Sequence, residues 1–349
     1  MADAEDSDLE SRRSRQMIPG RMAVRALLAL LLAFAAAPGG ALAEQPEESA
    51  PRPRWSDRVE RAVSAGDMER AYFAFVPPGQ APADGWPVVL VFHGGGGAPQ
   101  GMAEMSLLHE LGARLGFVTL YPAGTGRFRR RLLTWNGGYC CGYAATHRVD
   151  DIAYVRAVLA DVQSWVRVDR SRVYATGMSN GALMCYRLAR DLGDRFAAVA
   201  PVAAPMLKPP WRQGAPPVSI VHFHGTADDH VPYAGGIGRR SLAKVAFPPI
   251  RETMAAIAAA SGCGSAPQRV ELPDRDGDGQ GVVRESWSGC RDESEVELYT
   301  MAGGAHSWPG GPAFAEGLIG PPNRDISASE VIWSFFSRHR RRQDGEPHR

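Results

Sequence analysis

Apolar and polar positions fall into two rhythms along this chain. The short continuous apolar run Val88-Val89-Leu90-Val91 predicts a buried strand, and the largely apolar Val218–Phe223 predicts another strand. Between them run segments with helical spacing. Leu107, Leu108, Leu111 and Leu115 predict a helix over Glu104–Leu115. Ile152, Val155, Val158, Leu159 and Val162 predict another over Asp151–Val166, with Asp150 placed to cap it. The same reading gives strands at Ala71–Val76, Pro87–Phe92, Phe117–Tyr121, Arg172–Thr176, Ala197–Val202 and Val296–Met301. Further helices fall at Asn180–Arg190, Pro249–Ala260 and Ile326–Arg338, and Arg269–Leu272 with Val282–Trp287 predict a hairpin. Strands alternating with helices mean an α/β fold, a mostly parallel sheet with helices on both faces. In such sheets ligands bind in loops at the carboxyl ends of the strands.

The amino-terminal pattern is different. Five arginines between Arg12 and Arg25 lead into an apolar run from Ala26 to Ala37, and Ala41-Leu42-Ala43 supplies a small-residue cleavage site. That is the layout of a secretory signal peptide, and the run is shorter than the ~20 residues a bilayer span needs. The expected organisation is a signal peptide over 1–43, a flexible Pro/Glu-rich lead-in over 44–69, one catalytic domain over 70–337 and a basic tail over 338–349. The protein is expected to be secreted, extracellular or periplasmic, with no transmembrane segment. Removing 43 residues leaves 306 of the 349, enough for one large domain.

Composition adds exclusions. Hydrophobic residues at 44% and charged residues at 22% suit a packed core rather than a disordered chain. The net charge of +1 argues against nucleic acid as a partner. Export gives the five cysteines a meaning, because thiols outside the cytosol tend to pair. Cys263 and Cys290 flank the predicted hairpin and are expected to bridge. Cys140 and Cys141 bridge each other, or one of them reaches Cys185. Neither the cysteine nor the histidine spacing suits zinc, and no metal or cofactor is expected.

The candidate chemistry sits in the loops after the strands. Gly177-Met178-Ser179-Asn180-Gly181 lies between a predicted strand and a predicted helix, the setting of a nucleophile elbow. There a sharp turn projects the serine hydroxyl from the sheet, and the flanking glycines avoid a collision with neighbouring backbone. The Asn180 N–H, at the start of the helix, is one expected oxyanion donor. The second should come from His93-Gly94-Gly95-Gly96-Gly97, with Gly94 or Gly95 as the donor. A phosphate loop is excluded by the missing Lys-Ser/Thr ending. Downstream, His224-Gly225-Thr226-Ala227-Asp228-Asp229 follows a strand and offers two carboxylates. His306 follows the last strand and is the expected general base. His222 and His224 read as core or loop histidines. Asp274-Arg275-Asp276-Gly277-Asp278-Gly279, with Glu285 at the twelfth position, matches a calcium-loop pattern. Its flanks are not helical, and Pro273 with Val282-Val283 points to a hairpin tip instead.

Taken together, these blocks resemble the secreted esterase family that includes poly(3-hydroxybutyrate) depolymerases and the related feruloyl and acetylxylan esterases. The blocks are His93–Gly97, Trp135-Asn136 with Cys140-Cys141-Gly142, Val149-Asp150-Asp151, Tyr174–Gly181, His224–Asp228 with Val231-Pro232-Tyr233, and His306–Gly311. The resemblance runs from about Val88 to Trp333. It implies an α/β-hydrolase fold and a Ser179–His306–Asp228 triad, since the family's H-G-x-x-D-x-x-V-P pattern falls on Asp228 rather than Asp229. It also places the family's cysteine pair on Cys263 and Cys290. Family members often carry a cysteine where Arg190 stands, whereas here Cys185 lies a helical turn earlier. The implied substrate is a carboxylic ester, a polyester oligomer or an acylated polysaccharide. Trp135, Tyr139, Tyr143 and Trp308 are expected to rim the cleft as substrate-binding aromatics. A peptidase on the same fold and a non-catalytic exported binding protein are the alternatives.

Overall fold

A computed structural model describes residues 52–128, 131–138, 140–208, 210–211, 215–241 and 243–341. The signal-peptide reading of 1–43 therefore lies outside the described residues. In chain order the strands are β1 Val59–Ala65, β2 Met68–Phe75, β3 Trp86–Phe92, β4 Val118–Pro122, β5 Val168–Met178, β6 Ala198–Val202, β7 Ser219–Gly225, β8 Gln268–Leu272, β9 Val282–Trp287 and β10 Val296–Met301. The helices are α1 Pro99–Ser106, α2 Leu108–Leu115, α3 Gly142–Thr146, α4 Asp151–Trp165, α5 Asn180–Asp191, α6 Ile250–Ala260, α7 Glu316–Ile319 and α8 Ala328–Ser337.

All ten strands form one sheet in the order β1-β2-β4-β3-β5-β6-β7-β10-β9-β8. From β4 to β10 every neighbouring pair is parallel, and antiparallel strands flank that centre on both sides. The core divides by the two-residue period of a strand. Val88, Leu90 and Phe92 of β3 face one core, together with α4, α5 and α6. Val89 and Val91 face the other, together with α1, α2 and α8. A strand buried on both faces is apolar wherever its polar groups find no partner, which is why β3 and β6 were legible as apolar runs and β7 as a largely apolar one. Asp150 caps α4 as expected, its Oδ1 accepting from the Ala153 N–H at 3.0 Å.

Three expectations need correction. The single helix over Glu104–Leu115 is two, broken at Leu107, whose φ of 51° is left-handed. The break lets Leu108 and Leu111 face the sheet alongside Met102 and Ala103. Residues 55–69 are not a flexible lead-in: a 3-10 turn at Trp55–Asp57 and then β1 join the sheet, with β1 antiparallel to β2. Because β1 is an edge strand with only Val63 buried, it carries no apolar alternation to read. Arg61 ties it down through Asp161, with Nε 2.6 Å from Oδ2. The basic tail also begins later than expected. Tyr174 Oη donates to the His339 carbonyl at 2.7 Å, and the Arg341 N–H donates to the Ser171 carbonyl at 2.8 Å.

Candidate active site

Ser179 stands between β5 and α5 in a backbone conformation that L-residues rarely adopt, φ 56° and ψ −118°. Its N–H donates to the Val202 carbonyl at 2.8 Å, which locks the turn onto β6. The flanking glycines answer to neighbouring β3. A Cβ on Gly177 would lie 2.6 Å from the Phe92 carbonyl oxygen, and one on Gly181 would run into the carbonyl oxygens of Phe92 and His93. Asn180 opens the helix directly after the serine.

The glycine loop lies alongside this turn. A Cβ on Gly94 would sit 3.6 Å from the Ser179 Cβ, and one on Gly95 would sit 3.4 Å from the Asn180 Cβ. The Gly96 and Gly97 N–H groups are used, donating to Leu133 at 2.8 Å and Gly94 at 3.0 Å. His93 braces the loop from beneath. The Gly124 N–H donates to His93 Nε2 at 3.1 Å, so the ring carries its proton on Nδ1 and donates to the Gly94 carbonyl at 2.8 Å. Burial pulls the His93 pKa down to about 4, which keeps the ring neutral in that role.

Two motif blocks that carry no obvious chemistry turn out to build the wall of the site. Asn180 grips Trp135 at both ends of its backbone, Oδ1 accepting from the Trp135 N–H at 2.6 Å and Nδ2 donating to its carbonyl at 2.9 Å. The next residue, Asn136, donates its N–H to Asp151 Oδ2 at 2.7 Å. Asp151 is buried and pairs through Oδ1 with buried Arg70 at 2.7 Å. Sequence reasoning missed Arg70 and Asp151. The one available signal was the second acidic residue of Val149-Asp150-Asp151, which a capping role for Asp150 leaves unexplained.

The aromatic expectations are corrected for two residues. Trp135 and Trp308 are buried core side chains, not rim residues. The Trp135 indole packs edge-on against Phe92 at 5.1 Å and donates from Nε1 to the His93 carbonyl at 3.0 Å. Trp308 donates to Ser329 Oγ at 3.0 Å. An indole buried with its one polar group satisfied is a packing element. Tyr143 is 36% exposed and stacks on His147 at 3.8 Å. Tyr139 lies outside the described residues.

The acid and base candidates meet across the ends of β7 and β10. His306 Nδ1 lies 2.6 Å from Asp228 Oδ2, and both side chains are buried. Asp228 Oδ1 accepts from the N–H groups of His230 at 2.9 Å and Val231 at 2.8 Å. Burial pushes the Asp228 carboxyl up, but the His306 charge and the donors around it outweigh this and hold it well below the usual carboxylate range. The neighbouring Asp229 turns instead to His230 Nδ1, 3.0 Å away, with Arg239 and Arg240 near 4 Å. The His230 ring stacks on His306 at 4.7 Å. Ser179, Asp228 and His306 thus follow β5, β7 and β10 at one end of the parallel strands. Ser179 Oγ does not cap α5 and makes no hydrogen bond among the described residues. Catalytic hydrogen bonds in substrate-free sites are often long and tighten only with substrate.

The remaining candidates resolve simply. Cys263 bonds to Cys290 and Cys140 to Cys141, while Cys185 is a free, buried thiol in α5. The calcium-loop pattern does not close. Glu285 lies in β9 and pairs with Arg251 at 2.7 Å, and the loop lies between β8 and β9, without flanking helices. Asp274 and Asp276 instead approach Asp325. Asp325 is already occupied by the Arg275 N–H and Asn323 Nδ2.

Comparison with known proteins agrees with this architecture. The family described as "Esterase PHB depolymerase" matches residues 70–206. The "Putative esterase NocK" of Nocardia uniformis subsp. tsuyamanensis is 29% identical over 79% of this chain and 81% of its own length. "Feruloyl esterase B" of Piromyces equi is 31% identical over 50% of this chain, which spans only 31% of that protein's length. Among solved structures, an acetyl xylan esterase from Aspergillus awamori superposes with a TM-score of 0.53 at 15% identity, covering 80% of this chain and 99% of its own. Esterase relatives on the sequence side and the fold of a solved esterase on the structural side support carboxylic ester hydrolase activity on an α/β-hydrolase fold, and the chain is similar to the PHB depolymerase, feruloyl and acetylxylan esterases.

Proposed function

We propose that the protein is a secreted serine esterase working through an acyl-enzyme, with Ser179 as nucleophile, His306 as base and Asp228 as its orienting acid. The observation that carries this reading is the 2.6 Å contact of His306 Nδ1 with Asp228 Oδ2 at the same sheet end as the strained Ser179 turn. His306 Nε2 takes the proton as Ser179 Oγ attacks the ester carbonyl. The tetrahedral oxyanion is met by the Asn180 N–H and by that of Gly94 or Gly95. The intermediate then collapses, and the imidazolium returns its proton to the leaving alcohol. Water repeats the sequence to release the acid. Throughout, ionised Asp228 holds the His306 tautomer and stabilises the imidazolium.

The catalytic domain on this reading runs from β1 through Arg341. Export is supported by two formed disulfides, which persist in oxidising compartments. Among the described residues no helix is long and apolar enough to cross a membrane. The substrate class is supported by the relatives' names, a feruloyl esterase and an acetylxylan esterase/xylanase among them, and by the PHB depolymerase family match. Methyl ferulate, acetylated xylan and hydroxybutyrate oligomers should be compared side by side with the purified protein. The reading expects at least one to be hydrolysed with kcat/KM of about 10⁴ M⁻¹s⁻¹ or more. Hydrolysis of none of them, with peptides cleaved instead, would contradict it.

A further inference from the structure

Behind the Asp228 loop lies a row of buried polar groups that the catalytic steps leave unused. Tyr186 Oη of α5 is 2.8 Å from His222 Nδ1, and His222 Nε2 is 3.1 Å from His224 Nδ1. His224 Nε2 is 2.8 Å from the Val231 carbonyl oxygen and 3.4 Å from Asp228 Oδ2. All three side chains are buried. His222 and His224 are two apart on β7 and so share one face of the sheet. Polar groups in such a place are costly unless each finds a partner.

The end of the row fixes where the protons lie. A carbonyl only accepts, so His224 carries its proton on Nε2. With that ring neutral, Nδ1 must accept, and His222 donates to it from Nε2. His222 Nδ1 then accepts from the Tyr186 hydroxyl. The reverse direction would need a His224 imidazolium with no exposure, and the nearest carboxylate, Asp228, is already committed to His306. Burial also drives the His222 pKa far below the ordinary imidazole value, which agrees with a neutral ring.

We infer that Tyr186, His222 and His224 form a one-directional hydrogen-bond chain that anchors the acid loop, making His224 a positioning residue for Asp228. The path is short. His224 holds the Val231 carbonyl, and the N–H of the same Val231 holds Asp228 Oδ1. The inference rests on the triad reading. Other titratable groups around the chain are Tyr233, edge-on to His224 at 5.9 Å, and Cys185 beside Tyr186. Around Asp228 they are His306, His230 and Asp229 with its two arginines.

The test compares His224→Leu and His224→Gln in the full chain. The leucine variant should lose about 10- to 100-fold in kcat with KM within about twofold. Glutamine, whose amide can reach the Val231 carbonyl, should restore most of the rate. Nitrogen-15 histidine spectra of the unmodified protein supply a readout that survives a misfolded variant. At neutral pH they should show two rings that carry their proton on Nε2. A leucine variant with ordinary kcat, a glutamine variant no better than leucine, or a His224 ring protonated on Nδ1 rather than Nε2 would each overturn the inference. Full activity in Ser179→Ala would instead sink the triad reading and leave the tautomer result standing.

Discussion

Ser179→Ala should lower the hydrolysis of p-nitrophenyl acetate by on the order of 10⁴-fold or more while the protein stays folded. The loss is large because the hydroxyl is the atom that forms the acyl bond. The fold is spared because that hydroxyl caps no helix and makes no hydrogen bond among the described residues. What holds the turn is backbone, the Ser179 N–H on the Val202 carbonyl, and alanine keeps it. Whatever rate remains would report the oxyanion donors and binding alone. Steady-state rates with a thermal unfolding curve check both halves of the expectation. Retention of activity would remove Ser179 from the mechanism.

Gly181→Ala should damage both the stability and the rate. The added methyl would meet the carbonyl oxygens of Phe92 and His93. Both are backbone atoms of the central strand and its exit, so no side chain can swing aside. Either α5 moves off β3 or the glycine loop moves off α5, and Asn180 then parts from Gly94 and Gly95. Overpacking of this kind costs about 1–3 kcal/mol, occasionally more. A misplacement near 1 Å at the reacting atoms costs roughly 10²-fold in rate. Denaturant titration and kcat should therefore fall together. Gly317→Ala is the matching control: its Cβ would meet nothing within 4 Å, and stability should change by less than about 0.5 kcal/mol.

What could be read from the sequence follows from how each feature is encoded. The central strands are buried on both faces, so their apolar runs announce them, and the elbow announces itself because only glycine fits beside β3. An edge strand such as β1 has one buried side chain and reads as solvent-facing chain. The turn at Leu107 is set by how α1 and α2 pack on the sheet, not by a breaker residue. Asp228 and Asp229 are indistinguishable as residues, and only their surroundings in three dimensions differ, one facing His306 and the other His230. Trp135 and Trp308 misled because an aromatic near a motif reads the same whether it faces the cleft or the core. Asp151 went unread because its partner Arg70 lies far back in the chain, on β2.

The central claim is that Ser179 is the activated nucleophile of an esterase. A fluorophosphonate probe tests it most directly, because it reacts only with a serine whose proton can be taken by a neighbouring base. Incubation at neutral pH followed by peptide mass mapping should find one probe per chain, attached to Ser179, with labelling and ester hydrolysis lost in parallel in His306→Ala. A protein that hydrolyses esters while Ser179 stays unlabelled, or that carries the probe on another residue, would contradict the account.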